Sequence, residues 1–340
     1  MLILCLQLAG CSPAYYWQAA SGQLSIINGR DDIDELLEEA TLEPDLRARL
    51  ELALQALEFA HNELDLPDNG SYRSYYDTGR DYVVWNVFAA PEFSLDPVSW
   101  CFPVAGCVTY KGYFAEQGAQ KYAAKLAAKG NDVFVAGVPA YSTLGRFKDP
   151  VLNTMLTMPE AAFVGLLFHE LSHQQLYVKD DTAFNEGYAE AVEYIGLQRW
   201  EAVTGMQSDQ RFERQLEDVR ALLLTTRSGL QALYADSTDT ESMRAAKAAM
   251  LAEARENYRE MVSNWQAQGL SYRPYQSMVT SGLNNASLSA IATYADYRPA
   301  FLQLYNECAT DLQCFYARAE ELADLAPELR EQQLEKLLKN

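Results

Sequence analysis

The chain spends its histidines sparingly: 340 residues contain 3. Two of them, His169 and His173, stand four apart, and Glu170 directly follows the first. On an α-helix, positions i and i+4 lie one above the other, so both imidazoles can reach one metal ion. Glu170 is turned one residue round and points beside that ion, near where a water would sit. Zinc lowers the pKa of such a water to about 7, and a carboxylate at its edge can then take the proton. At this composition a His-Glu-x-x-His pattern arises by chance on the order of 0.002 times in a chain of this length. The spacing therefore predicts a hydrolytic site with one zinc ion per chain.

A catalytic zinc has three protein ligands and one open position. No further histidine lies downstream, which leaves a carboxylate, and the next helical segment offers Glu186, Glu190 and Glu193. Asp180 and Asp181, in the turn between, fit two roles equally well: orienting a ligand histidine, or capping the helix that follows. The oxyanion of a hydrolytic reaction needs a hydrogen-bond donor. His61 lies far upstream near a helix end, where a surface or capping role suits it. A downstream tyrosine is therefore expected, Tyr294 in "AIATYADY" first and Tyr297 second.

These residues need rigid elements behind them. The apolar run "AAFVGLLF" before the histidines, opened by Pro159 and Glu160, reads as a buried helix. "TAFNEGYAEAVEYIGLQRW" reads as a second, with Thr182 as its N-cap. Residues 206–268 hold two long charged helical segments joined at "ADST", which predicts an antiparallel hairpin with a solvated face. Residues 12–70 read as N-terminal helices, with Leu36 and Leu37, then Leu46, Leu50, Leu54 and Leu57, at helical spacing. Residues 71–150 are rich in Val, Phe, Tyr and Trp and read as a small mixed sheet around one Ala-rich helix. Residues 151–205 carry the metal-site helices and 269–340 further helices. The fold class expected is α+β, mostly helical, with 12–340 as a single unit.

Composition bounds the function from outside. A hydrophobic share of 49% predicts a globular core. The formal charge of −20 argues against nucleic acid or an anionic lipid surface as partner. Cys101 and Cys107 form one close pair and Cys308 and Cys314 another, which suits two local disulfides in an oxidising compartment. No stretch is long and apolar enough to span a bilayer.

Three resemblances sharpen this reading. "MLILCLQLAGCS" ends in Leu8-Ala9-Gly10-Cys11, which resembles a bacterial lipobox. By that likeness residues 1–11 are a signal segment and Cys11 carries acyl chains. The protein is then lipid-anchored in the bacterial cell envelope, facing the periplasm, and Ser12 suits the outer membrane. "HELSH" followed by Asn185-Glu186-Gly187-Tyr188-Ala189 is similar to the gluzincin metallopeptidases, whose second helix presents Asn-Glu-x-x-Ala. Matched position by position, Glu186 is the third ligand, and Glu190 is the carboxylate that orients a ligand histidine. The whole chain resembles a family of bacterial proteins called predicted aminopeptidases, through "YYWQAASGQLSII", "WCFPVAGCVTYKGYF", "FHELSHQQLYVKDDTAFNE" and "LNNASLSAIATY". That implies a zincin-like metallopeptidase core and hydrolysis of a peptide substrate. "AGVPAYSTLG" would supply the edge strand along which zincins align a peptide. The other readings are an endopeptidase, a peptidoglycan-peptide amidase, or a non-catalytic metal-containing lipoprotein, structural or chaperone-like. In that last reading the hairpin contacts an envelope partner.

Overall fold

The computed structural model describes residues 13–102, 106–140, 142–206, 210–235, 239–293 and 297–339. Three helices come first: α1 (Pro13–Gly29), α2 (Ile33–Glu38) and α3 (Pro44–Leu64). α2 starts where Asp32 accepts from the Asp34 and Glu35 amides, and α3 starts at Pro44, whose missing N–H costs nothing at a first turn. α1 was not foreshadowed by periodicity, because its apolar residues cluster and its 17 residues carry no charge.

The strands form three small pieces in place of one mixed sheet. β1 (Asp31–Asp32) runs antiparallel to β2 (Ser74–Tyr76), which pairs in parallel with β8 (Val151–Leu152). β3 (Val84–Pro91) is the centre of an antiparallel sheet between β6 (Lys111–Tyr113) and β7 (Asn131–Val138). β4 (Trp100–Phe102) and β5 (Gly106–Val108) make a separate hairpin. Proline explains part of the division, since it cannot donate to a ladder: Pro91 closes β3, Pro97 follows, and Pro139 ends β7. The Ala-rich helix expected among the strands is α4 (Glu116–Ala127).

From residue 153 the described chain is helical: α5 (Asn153–Leu156), α6 (Glu160–Gln175), α7 (Thr182–Thr204), α8 (Gln210–Ala235), α9 (Thr240–Ala267), α10 (Gln276–Ser281), α11 (Asn285–Thr293), α12 (Arg298–Glu307), α13 (Leu312–Ala323) and α14 (Pro327–Leu337). The fold class is thus α+β and mostly helical. The main core packs α3, α6 and α7 against α12 and α13. Phe59, Phe168 and Trp200 meet ring to ring, as do Tyr188, Phe301 and Phe315.

α8 and α9 form the expected hairpin, and it packs along the body. Val219, Leu223, Leu251 and Trp265 share a second core with Met278, Val279 and Leu288 of α10 and α11. Its basic residues are not all solvated. Arg220 reaches Glu190 of α7, and the buried Lys247 donates to Asp132 at the start of β7. Both cysteine pairs are disulfide-bonded: Cys101–Cys107 joins opposite residues of β4 and β5, and Cys308–Cys314 ties α12 to α13.

Candidate metal centre

The two helices that carry the site approach closely because each has a glycine at the crossing. A Cβ on Gly165 of α6 would stand 2.9 Å from Glu193 and Leu197, and one on Gly196 of α7 would stand 2.6 Å from Phe168. The turn between the helices is held by Asn185, buried to 1% exposure. Its Oδ1 accepts from the Val178 amide at 2.7 Å, and its Nδ2 donates to the Val178 carbonyl at 2.7 Å. Asp181, not Thr182, is the N-cap of α7: its Oδ1 accepts from the Phe184 amide, and its Oδ2 accepts from the buried Arg330 of α14. A carboxylate outperforms threonine here because it meets both the helix N-terminus and a guanidinium.

On this frame His169, His173 and Glu186 converge. The two Nε2 atoms are 3.2 Å apart; Glu186 places one oxygen 3.4 Å from His169 Nε2 and the other 3.7 Å from His173 Nε2. All three candidate ligand atoms lie within 4.8 Å of one another. Ligands bound at 2.0–2.2 Å round a tetrahedral ion stand about 3.3–3.6 Å from one another, so the spacing fits a zinc-sized cation. The chemistry fits as well. Two imidazole nitrogens and a carboxylate are a donor set that suits such an ion.

The charges around the group are unequal. Burial pulls His169 down, but hydrogen bonds and charge from Glu186 and Glu193 more than offset it and hold it well above its ordinary value. His173, buried and next to His169, is depressed to about 4. Burial raises Glu186, yet His169 and His173 outweigh it and keep this carboxylate low. Glu170 goes the other way: burial lifts it to about 7, with Glu186 and Asp149 adding to the rise against His169. One acid is thus held ionised between the histidines while its neighbour titrates near neutrality.

The group lies in a cleft of about 690 Å³. Val138, Pro139, Ala140 and Ser142–Leu144 line one side, Phe102, Val108 and Tyr110 another, and Tyr15, Ala19 and Gln23 bring α1 to it. The segment expected as an edge strand therefore divides: β7 ends at Val138, and the described residues 139–140 and 142–145 are not strand. Asp149, 1% exposed, shapes that loop by accepting from the Thr143 amide at 2.8 Å and the Thr143 hydroxyl at 2.9 Å.

Several expected roles fall elsewhere. Glu190 does not meet a histidine; its Oε1 accepts from Arg220 Nη2 at 2.6 Å. The carboxylate beside His169 is Glu193, with Oε2 3.2 Å from Nδ1. Asp180 does not reach a histidine either: its Oδ1 accepts from the Cys107 amide at 2.6 Å, tying the β4–β5 hairpin to the turn before α7. Tyr294 and Cys11 lie outside the described residues. Tyr297 packs its backbone and Cβ against Gly187 and belongs to the rim of the main core. His61, exposed near the end of α3, lies 3.4 Å from the Leu66 carbonyl, a capping position. Tyr177, which sequence reasoning passed over, lines the cleft with its ring 6.4 Å from that of His173. Burial, then Glu186 and Asp180, raise its hydroxyl.

Fold and site together define a mostly helical α+β protein with a two-helix, histidine-carboxylate group able to hold a metal at the base of a cleft. A family model described as "Putative aminopeptidase" matches residues 14–334, and the chain belongs to that family. The family's name points to peptide hydrolysis. No curated protein matches the chain. No solved structure matches it either.

Proposed function

We propose that this chain is a zinc-dependent peptidase in which His169, His173 and Glu186 hold the ion and Glu170 is the general base. The observation that carries the reading is the pairing of a compact three-ligand group with a second carboxylate, Glu170, separately placed in the same cleft. When bound there, a divalent cation polarises a carbonyl and acidifies water. Glu170 accepts a proton from the attacking water and delivers it to the leaving amine. Glu193 accepts from His169 Nδ1, which keeps the Nε2 lone pair turned toward the ligand group. Tyr177, which lines the cleft with its ring 6.4 Å from that of His173, is a phenol that would donate to an oxyanion there; Tyr294 lies outside the described residues.

The same proposal places the protein in the bacterial cell envelope, lipid-anchored through Cys11. The disulfides support an oxidising compartment. Aminopeptidase action follows the family name. The endopeptidase reading has its own support: among the described residues lining the cleft, only Glu170 and Glu186 are acidic, so neither is spare to grip a substrate's free amine.

Metal analysis and a peptide library test the proposal together. About one zinc per chain is expected, and Glu170→Gln should keep the metal while hydrolysis falls by roughly 10²–10⁴-fold. A wild type that binds zinc and cleaves nothing would move the assignment to the non-catalytic reading. Single amino-terminal residues released first mark an exopeptidase, and internal fragments an endopeptidase.

A further inference from the structure

α1 is an uncharged helix on the outside of a strongly charged protein. Its 17 residues contain no Asp, Glu, Lys or Arg, while such residues make up 22% of the chain. At that frequency a 17-residue stretch lacks charge about 1–2% of the time. An exposed helix normally puts charge on its outer face. Here the outer face is Tyr16, Trp17, Ala20, Ser21, Leu24 and Ser25, with Trp17 77% and Leu24 56% exposed.

This stripe cannot turn inward, because the opposite face is already committed. Gly22 sits so close that a Cβ there would stand 2.2 Å from the Phe114 ring. Gln18 Oε1 accepts from the Phe114 amide at 3.0 Å, Ile26 is buried, and Lys111 lies 4.1 Å over the Tyr15 ring. Trp and Tyr with small polar residues and no charge is the composition of a lipid headgroup boundary, where an aromatic ring sits in the apolar layer and its edge stays wet. The net charge of −20 gives no attraction to an anionic surface, so the fitting surface is a neutral one held by apolar contact.

We propose that the outer stripe of α1, centred on Trp17 and Leu24, lies on a zwitterionic lipid surface. The contact is distinct from any acyl chain on Cys11 and stands whatever the cleft hydrolyses. Since Tyr15, Ala19 and Gln23 of the same helix line the cleft, one helix diameter, about 10–12 Å, would then separate the site from the lipid.

The test uses the full chain carrying Cys11→Ala, which cannot be acylated at that residue, mixed with phosphatidylcholine vesicles. The protein should float with the vesicles, and lipids brominated on their acyl chains should quench a fluorescence component that Trp17→Phe removes. Trp17→Glu combined with Leu24→Glu should weaken partitioning at least roughly tenfold, since both side chains leave the apolar layer. Far-ultraviolet circular dichroism and zinc content should not change, because both residues are largely exposed. Flotation unaltered by the double substitution would overturn the proposal, because residues 1–12 alone would then account for it. So would a dimer in vesicle-free solution that the double substitution splits while flotation persists, which would assign the stripe to a second copy of this chain.

Discussion

Glu193 and Glu190 are three residues apart on α7, and exchanging either for glutamine separates two functions. Glu193 lies 3.2 Å from His169 Nδ1 and is one-third exposed, so its loss costs the fold little. It does cost the ligand: without the carboxylate, His169 loses basicity and the bond that fixes its tautomer. Glu193→Gln should lower zinc affinity about 10–100-fold, or about 1.4–2.7 kcal/mol. Glu190 is the reverse case. Its carboxylate and the Arg220 guanidinium have side-chain exposures of 12% and 20%, and they meet through one 2.6 Å bond. Removing one member of a fully buried ion pair costs about 3–5 kcal/mol. This pair is partly solvated, and Glu190 Oε2 and Arg220 Nε lack hydrogen-bond partners. The expected loss is therefore lower, about 2–3 kcal/mol. A 340-residue chain unfolds with an entropy near 0.7 kcal/mol/K, so Tm should fall by about 3–4 °C. Competition with a chromophoric chelator reads the first effect, and calorimetry on chelated protein reads the second. If Glu190→Gln weakens zinc binding tenfold while Glu193→Gln leaves it untouched, this account of the site is wrong.

Other variants probe the frame. Asn185→Ala leaves the half-buried Val178 N–H without its partner, while the Val178 carbonyl keeps the Asp181 amide, which should cost about 1–2 kcal/mol in urea unfolding and loosen zinc binding by displacing Glu186. Gly165→Ala puts a methyl 2.9 Å from Glu193, so a destabilisation of about 1–3 kcal/mol should come with a measurable drop in zinc affinity. pH acts through His169: despite burial, Glu186 and Glu193 keep it protonated well above the ordinary 6.5, and a cation must displace that proton. The sign follows: apparent zinc affinity should rise with pH, about tenfold per unit from pH 6 to 7 for one proton released, and calorimetry in buffers of different ionisation enthalpy counts that proton. Tyr177→Phe should lower kcat while leaving zinc content unchanged, if the phenol donates to the oxyanion; an unchanged kcat removes it from the mechanism.

What the sequence revealed and what it hid divide along a physical line. The His-Glu-x-x-His spacing places both imidazoles on one helix face without reference to anything else in the fold, so the cluster was legible locally. The disulfides were legible for the same reason, each closing a short loop. The partner of His169 was not. From Glu186, position 190 is rotated about 40° one way round the helix and position 193 about 20° the other, so both stay near the ligand face. What decides between them is Arg220, arriving from another helix 30 residues later and drawing Glu190 away. The seven-residue interval back to Glu186 was the signal that could have favoured Glu193. Asp180 was misread similarly, because its partner is a backbone amide 73 residues upstream. Helix α1 falls within the stretch read as N-terminal helices, but its bounds were not legible, because its uncharged outer face leaves no apolar–polar periodicity.

The frame of the site bears on whether its metal would serve structure or chemistry. In small zinc domains the ion supplies the folding energy, and chelation unfolds them. Here the ligand helices are held by other means. α6 and α7 bury Phe163, Phe168, Tyr188 and Trp200 in the main core, Asn185 clasps the turn between them, and Arg330 anchors the start of α7 from the C-terminal helix. The group sits beside that core in a cleft, where only part of its surface is covered. A cation bound there would add stability by mass action alone, about 2.7 kcal/mol at a hundredfold excess over Kd, roughly 4 °C for this chain. A protein that keeps its fold and most of its Tm after chelation, yet binds zinc tightly, has no structural need for the ion. That outcome would leave the half-buried Glu170, beside the ligands and lining the cleft, as the residue the metal is there to serve.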